Sequence, residues 1–213
     1  MSRRDRPPIA ASSSNPPSKA PPLSPSSAPD VSVILPVGDH EDVVGHQVKA
    51  ITSHLRSLGR TCEVIAVNDG SRDNSLPILE LLAARLPELR VVRASAAGRA
   101  FQRGAVEANG GILLLAVDLN RLPLAPLGWA LSRVTAGRDA VMLRGRYVVG
   151  RTVTTSRLVA RAPGPGPAFE RLFERLSQRR EPGLRLDVVG SRTAARAPAG
   201  RLLGPLLRFL TVS

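Results

Sequence analysis

Short apolar runs alternate with longer amphipathic segments between residues 31 and 143. The runs are rich in β-branched residues and are typical of buried strands, whereas the segments between them carry apolar residues every three or four positions, as helices do. The pattern predicts strands at 31–37, 64–67, 89–92, 112–116 and 140–143, with helices at 42–58 and 75–86, a third after residue 99 and a fourth within 123–137. It indicates an α/β fold, a mostly parallel sheet with helices on both faces.

One stretch concentrates the candidate chemistry. Residues 63–73 read E-V-I-A-V-N-D-G-S-R-D, an apolar strand followed by a polar turn. The turn places the carboxylate of Asp69 at the carboxyl end of a strand, which is where open α/β sheets bind their ligands. Gly70 allows the backbone to turn there without a steric penalty from a Cβ atom. Ser71 and Asp73 are suited to cap the next helix.

The preceding unit repeats this design. Residues 31–37 read V-S-V-I-L-P-V and are followed by a polar turn and a helix. The two units resemble the family 2 glycosyltransferases of the GT-A fold, in which the first strand reads like V-S-V-I-I-P-V-Y-N-E and the second ends V-D-D-G-S-x-D or V-N-D-G-S-x-D. The resemblance covers residues 31–147 and is nearest to the polyprenyl-phosphate sugar synthases. It implies a GT-A-like, Rossmann-like sheet that binds a nucleotide-sugar donor.

The resemblance also assigns a nucleotide site. It implies that Pro36, Val37 and Val67 line the base and that Asp69 accepts a hydrogen bond from it. The loop 38–42, which lies against the base in the family, reads G-D-H-E-D where the family has Tyr-Asn-Glu. Its carboxylates have a second interpretation, as acidic residues in the first turn of the following helix that complement the helix dipole.

A third stretch matches the family's glycine-rich segment. The family reads N-x-G-x-G-x-A-x-x-x-G-x-x-x-A-x-G, and the residues in register here are Gly98, Ala100, Gly104, Ala108 and Gly110. The spacing of four places small residues along one helix face and predicts close packing on the sheet. Either Arg99 or Arg103 is expected to reach the donor's diphosphate, the alternative for each being a solvated surface arginine.

A fourth stretch, A-V-D-L-N at 116–120, stands where the family has D-x-D. That motif holds a divalent cation, Mg²⁺ or Mn²⁺, which offsets the charge of the departing diphosphate. Asp118 is the one carboxylate present, and either Ala116 replaces the first aspartate of the motif or Asn120 replaces the second. Further on, R-G-R-Y resembles the family's G-S-R-Y, which makes Arg146 the expected phosphate contact. Asp118 and Arg146 are therefore the predicted catalytic residues, and Asp118 the predicted metal ligand.

Charge restricts the partners. The net charge is +13, and residues 139–213 hold 14 arginines against five acidic side chains. An anionic partner such as a sugar nucleotide or a phospholipid surface explains this distribution, and so does the codon usage of a GC-rich genome. Nucleic acid is not expected, because aromatic residues, the stacking platforms for single strands, make up 3% of the chain.

The sequence also predicts compartment and domains. Cys62 is the single cysteine, and no apolar run approaches the roughly 20 residues of a membrane span. We therefore expect a cytoplasmic protein, with peripheral binding at the inner face of the membrane as one option. Residues 1–29 are rich in proline and serine and are expected to be disordered. The nucleotide-sugar domain would occupy 30–150, leaving 151–213 as a divergent acceptor-side segment.

Two stretches of this last segment predict more specific structures. The A-P-G-P-G-P sequence at 162–167 predicts a rigid, extended linker. Residues 201–210 predict either an interfacial helix on anionic lipid or a terminal helix packed on the domain. The expected function is transfer of a sugar from a nucleotide donor to a polyprenyl phosphate or another cell-envelope acceptor. The alternative is a degenerate transferase fold that binds nucleotide or a protein partner without turnover.

Overall fold

The structure is a computed structural model that describes residues 28–94, 96–179 and 183–190. Most of the predicted N-terminal tail and all of the predicted segment 201–210 lie outside the described residues. No helix within the described ranges is both long and apolar enough to cross a membrane.

The described strands form one seven-stranded sheet in the order β3-β2-β1-β4-β6-β5-β7. Strand β6 runs antiparallel to its neighbours β4 and β5, whereas every other neighbouring pair is parallel. The strands are β1 (Val31–Val37), β2 (Cys62–Asn68), β3 (Leu89–Arg93), β4 (Ile112–Ala116), β5 (Ala140–Leu143), β6 (Tyr147–Arg151) and β7 (Leu186–Val189).

Helices cover both faces of this sheet, as predicted. Helices α1, α2 and α4 share one apolar core with the sheet, and α3, α5 and α6 share the other. Their bounds are α1 (Val44–Ser57), α2 (Ser75–Ala83), α3 (Ala100–Glu107), α4 (Leu127–Thr135), α5 (Thr152–Arg161) and α6 (Pro167–Arg179), with a short 3-10 turn at Leu119–Arg121.

Strand β1 shows why the central runs are almost wholly apolar. Val33 and Leu35 belong to the core under α1 and α4, whereas Ile34 belongs to the core under α3. All three side chains are fully buried, because a parallel strand between two helical layers has no solvent-facing side.

The small-residue face of α3 packs on the sheet as its spacing predicted. Ala100 is buried, and Gly104 lies so close to Ile34 of β1 that a Cβ atom there would overlap the isoleucine side chain. The helix is therefore seated directly on the central strand. This brings its amino-terminal end to the edge of the sheet where β1 and β2 end.

The C-terminal elements extend the same sheet. Strand β7 pairs with β5, and α6 buries Phe169 and Phe173 against the sheet. The ring centroids of Phe101 and Phe169 are 5.2 Å apart in an edge-to-face arrangement, which joins α6 to α3. The prediction of an extended linker at 162–167 was wrong. This segment is a tight connection between α5 and α6, and its Gly164 backbone lies directly against Gly98.

A partly buried polar network joins the strands at the opposite edge of the sheet, where they begin. The Glu63 carboxylate accepts hydrogen bonds from the Ser32 hydroxyl at 2.6 Å and the Asn109 N–H at 2.7 Å, and from Arg90 at 3.0 Å. The Ser32 hydroxyl in turn accepts from the Gly110 N–H at 2.8 Å. Burial raises the pKa of Glu63, but these hydrogen bonds and the Arg90 charge outweigh burial and hold that pKa below its usual value.

We predict that Glu63→Gln lowers the free energy of unfolding by about 1–3 kcal/mol at neutral pH, since charged hydrogen bonds are lost. A carboxylate with a depressed folded-state pKa contributes stability above its unfolded pKa and loses it as the pH falls through the folded value. The difference between wild type and variant should therefore be largest above about pH 4.5 and shrink below it. Urea unfolding between pH 3 and 8 measures this. The exposed Glu80→Gln is the control, and a difference independent of pH would contradict the assignment.

Candidate functional site

The candidate site lies at the edge where β1, β2 and β4 end. The chain runs outward from β1 through β2 to β3 and then returns to place β4 on the other side of β1. Such a switch of direction leaves a crevice between the diverging loops at the carboxyl ends of the strands, where α/β sheets bind ligands. Two open depressions of about 720 and 790 Å³ lie elsewhere, where the strands begin.

Asp69 connects three chain segments at this edge through hydrogen bonds: the end of β1, the turn after β2 and the loop that contains Gly98. Its N–H donates to the Val37 carbonyl at 2.8 Å, which joins the ends of β2 and β1. Both carboxylate oxygens lie 3.0 Å from the Gly98 nitrogen, so the Gly98 N–H donates to the Asp69 carboxylate. Asn68 stabilises the turn through its side-chain oxygen, which accepts from the Gly70 and Ser71 N–H groups at 3.0 and 2.9 Å. The carboxylate is thus fixed in place and half-buried.

Two carboxylates of the loop 38–42, those of Asp39 and Glu41, bind the neighbouring loop rather than their own helix. Asp39 accepts from the Arg72 N–H at 2.7 Å, and Glu41 accepts from the Asn74 N–H at 2.9 Å. The first turn of α1 contains no acidic residue. The interpretation of these side chains as partners of the helix dipole was therefore wrong. They fix the β1–α1 loop against the β2–α2 loop.

The predicted base-lining residues differ in exposure. The side chains of Val37 and Val67 are fully buried in the core, so these two residues can offer a ligand only their main chain. Pro36 is half-buried beside them. Their role in binding a base stays a prediction.

Of the two candidate arginines, Arg99 lies immediately before α3, at the helix end nearest the site. It is exposed, and its guanidinium donates to Gln102 at 3.0 Å. Arg103 points along the helix and pairs with Glu107 at 2.7 Å. Arg99 is therefore the one that the structure leaves available to a ligand at this edge.

Asp118 and Arg146 come together across β4 and β6. The antiparallel register pairs Ala116 with Tyr147, and the Arg146 carbonyl then accepts from the Val117 N–H at 2.7 Å. The Arg146 guanidinium lies 3.6 Å from the Asp118 carboxylate, with 24% and 35% of the two side chains exposed. The structure thus unites the two residues that the sequence had placed in separate motifs, and leaves both open to solvent.

This arrangement gives little support for a metal. One Asp118 oxygen accepts from the Asn120 N–H at 3.0 Å, and the other faces Arg146. Ala116 is buried, and the described part of the chain contains no group of three His, Cys, Asp or Glu side chains placed to hold a metal ion. Mg²⁺ and Mn²⁺ need several oxygen ligands. The residues present therefore do not fit a metal site preformed by the protein.

Sequence reasoning missed Glu170 and Gly164. Glu170 of α6 accepts from the Gly145 N–H at 2.8 Å, one residue before Arg146. Gly164 contacts Gly98, which donates to Asp69. Glu170 stands in no motif, and Gly164 lies in the stretch that was predicted to be a linker; the contacts of both residues with the site depend on the docking of α5 and α6. No local signal in the sequence could have found them.

Comparison with known proteins agrees with this geometry. Residues 32–118 match the family described as Glycosyl transferase family 2. Over 55 residues, 26% of this chain, the sequence is 40% identical to the undecaprenyl-phosphate 4-deoxy-4-formamido-L-arabinose transferase of Pseudomonas paraeruginosa, of which the match covers 16%. These matches confirm the resemblance to family 2 glycosyltransferases, with residues 32–118 as the part of the chain that matches the family.

Solved structures show the same fold. A mannosyltransferase from Pyrobaculum calidifontis, in complex with GDP-Man and Mn²⁺, has a TM-score of 0.60 at 16% identity, covering 81% of this chain and 59% of that one. Glucosyl-3-phosphoglycerate synthase of Mycobacterium tuberculosis has a TM-score of 0.53 at 16% identity, covering 76% and 72%. The predicted GT-A-like sheet is confirmed. The chain spans about three fifths of the first of these structures and matches a sixth of the curated relative.

We predict that Gly164→Ala destabilises the protein, because the added Cβ atom would overlap the Gly98 carbonyl. Overpacking of this kind costs about 1–3 kcal/mol, or roughly 2–10 °C in a chain of this size. The control is Gly111→Ala, where no atom lies within 4 Å of the added Cβ. Calorimetric melting of the two variants measures the difference. Equal midpoints would show that the α5–α6 connection is not tightly packed against Gly98 in the loop between β3 and α3.

Proposed function

We propose that this chain is a nucleotide-sugar-dependent glycosyltransferase whose donor binds at the carboxyl edge of the sheet. The observation that carries the proposal is that Asp69, Asp118 and Arg146 all lie at that edge, the two aspartates within the residues that match family 2 and Arg146 paired with one of them. In this proposal the base lies beside Asp69, with Pro36, Val37 and Val67 around it. The diphosphate lies towards Arg146, with Arg99 at its flank.

The chemistry follows from the charges. An acceptor oxygen attacks the anomeric carbon of the sugar, the bond from that carbon to the diphosphate oxygen breaks, and the diphosphate leaves with the electron pair. Arg146 supplies a fixed positive charge where negative charge accumulates, and such preorganised contacts are a large part of transfer catalysis. Asp118 orients the guanidinium. A divalent cation, which the resemblance implies, would take most of its ligands from the donor's phosphates, and no step above relies on one.

The acceptor is proposed from the relative alone. The transferase of Pseudomonas paraeruginosa is named for undecaprenyl phosphate, and a polyprenyl phosphate is accordingly our first candidate. An arginine-rich C-terminal third suits both such an anionic acceptor and peripheral contact with an anionic membrane surface at its cytoplasmic face.

The proposal is tested by calorimetric titration of the full chain with UDP, GDP, CDP and dTDP, each with and without Mn²⁺. We predict that one of them binds and that Asp69→Ala weakens its binding by about 1.5–3 kcal/mol, the worth of a hydrogen bond to a charged group. Glu80→Ala, which removes an exposed carboxylate from α2, should bind as wild type does. Equal affinity of wild type and Asp69→Ala would show that the base lies elsewhere.

We predict that Asp118→Asn reduces turnover by about two to three decades while leaving the melting temperature unchanged. Asparagine keeps the oxygen that accepts from Asn120 but removes the charge that orients Arg146. The assay is sugar transfer to undecaprenyl phosphate, or donor hydrolysis, with and without Mn²⁺. Equal turnover of the two proteins would remove Asp118 from the mechanism. Nucleotide binding without any turnover would favour the degenerate, non-catalytic alternative over the transferase.

A further inference from the structure

The turn that carries Arg146 lies beyond the family 2 match, which ends at residue 118, and is held by helix α6. Leu143 to Arg146 form a tight turn between β5 and β6, closed by the Arg146 N–H donating to the Leu143 carbonyl at 3.0 Å. Gly145 has a φ of +68°, a left-handed conformation that glycine adopts without a steric penalty. The conformation of this turn sets where the Arg146 side chain begins.

Two glutamates of helix α6, one helical turn apart, contact that turn. Glu170 accepts from the Gly145 N–H at 2.8 Å, and Glu174 pairs with the Arg144 guanidinium at 2.7 Å. The Arg144 pair is largely exposed, with 56% of the arginine side chain accessible, so it contributes little. The Glu170 contact is different, because a carboxylate accepts from a main-chain N–H that is partly buried and belongs to the turn itself.

We propose that Glu170 is a positioning residue for Arg146, so that the docking of α6 sets the geometry of the diphosphate contact. The Arg146 carbonyl is fixed to the end of β4 on one side, and Glu170 fixes the preceding amide on the other. Together they leave the guanidinium facing Asp118. This inference rests on the proposed function and assigns the C-terminal third a direct part in donor binding.

The direction in which a Glu170 substitution changes the affinity for a nucleoside diphosphate shows whether Glu170 positions Arg146 or only repels the ligand. Glu170 is an anion near a proposed anion site, so removing its charge without any other consequence should strengthen diphosphate binding. If Glu170 instead acts by holding the turn, Glu170→Ala should weaken binding of the nucleoside diphosphate that wild type binds. We expect a loss of about three- to tenfold, the range for one hydrogen bond. Glu170→Gln keeps the accepting oxygen and should restore the affinity.

A double-mutant cycle shows whether Glu170 acts through Arg146. In an Arg146→Ala background, Glu170→Ala should change the affinity by less than about twofold, because the group that it positions is gone. Melting temperatures accompany each titration, and the exposed Arg175→Ala on the same helix is the control. Equal affinities of wild type and Glu170→Ala, or stronger binding by both Glu170 variants, would overturn the inference while leaving the proposed function intact.

A second readout needs no nucleotide. In a nitrogen-15 spectrum, the Arg146 Nε–H resonance, assigned by its loss in Arg146→Lys, should shift or broaden in Glu170→Ala and return in Glu170→Gln. An unchanged resonance in Glu170→Ala would overturn the inference by itself. If wild type binds no nucleoside diphosphate but the resonance responds as expected, the proposed function falls and the positioning of Arg146 by α6 stands.

Discussion

The antiparallel pairing of β6 with β4 is the contact on which the candidate site depends. Parallel strands alone would end side by side and offer only the loops that follow them. Because β6 begins at the edge where β4 ends, the residue before it meets the residue after β4, and Arg146 comes to face Asp118. The hydrogen bond from the Val117 N–H to the Arg146 carbonyl makes this meeting part of the sheet itself.

The remaining contacts of the site fix the loops around it relative to one another. The carboxylates that end the early strands bind backbone N–H groups of neighbouring loops: Asp39 binds Arg72, Glu41 binds Asn74, and Asp69 binds Gly98. Backbone N–H groups in loops have no partner in a helix or a sheet, and each of these hydrogen bonds gives one such group a partner. The loops are thereby joined around a crevice, and the docking of Gly164 against Gly98 continues the chain of contacts to α5 and α6.

Much of the fold was predictable because its signals are local. Burial can be inferred locally from the apolar runs of β1, β2 and β4 and from the small residues on one face of α3. The observed bounds of β1 and β4 and the start of α1 lie within two residues of the predicted ones. Strand β6 was missed because it is short and contains Gly150. A Cβ atom at Gly150 would lie 2.6 Å from that of Ala140, so the glycine is required by pairing with β5 and not by any local preference.

The residues of the candidate site also fall into a predictable and an unpredictable group. Asp69, Asp118 and Arg146 stand in motifs, whereas Glu170 and the partners of the loop carboxylates depend on tertiary contacts.

The central claim is that the donor's diphosphate lies at the carboxyl edge of the sheet, against Arg146. The most direct measurement is a crystal structure of the full chain with the nucleoside diphosphate that titration selects. The account predicts the base beside Asp69 and a phosphate oxygen within hydrogen-bond distance of the Arg146 guanidinium. A nucleotide bound in either depression at the opposite edge, or a diphosphate that leaves the Asp118–Arg146 pair untouched, would contradict it.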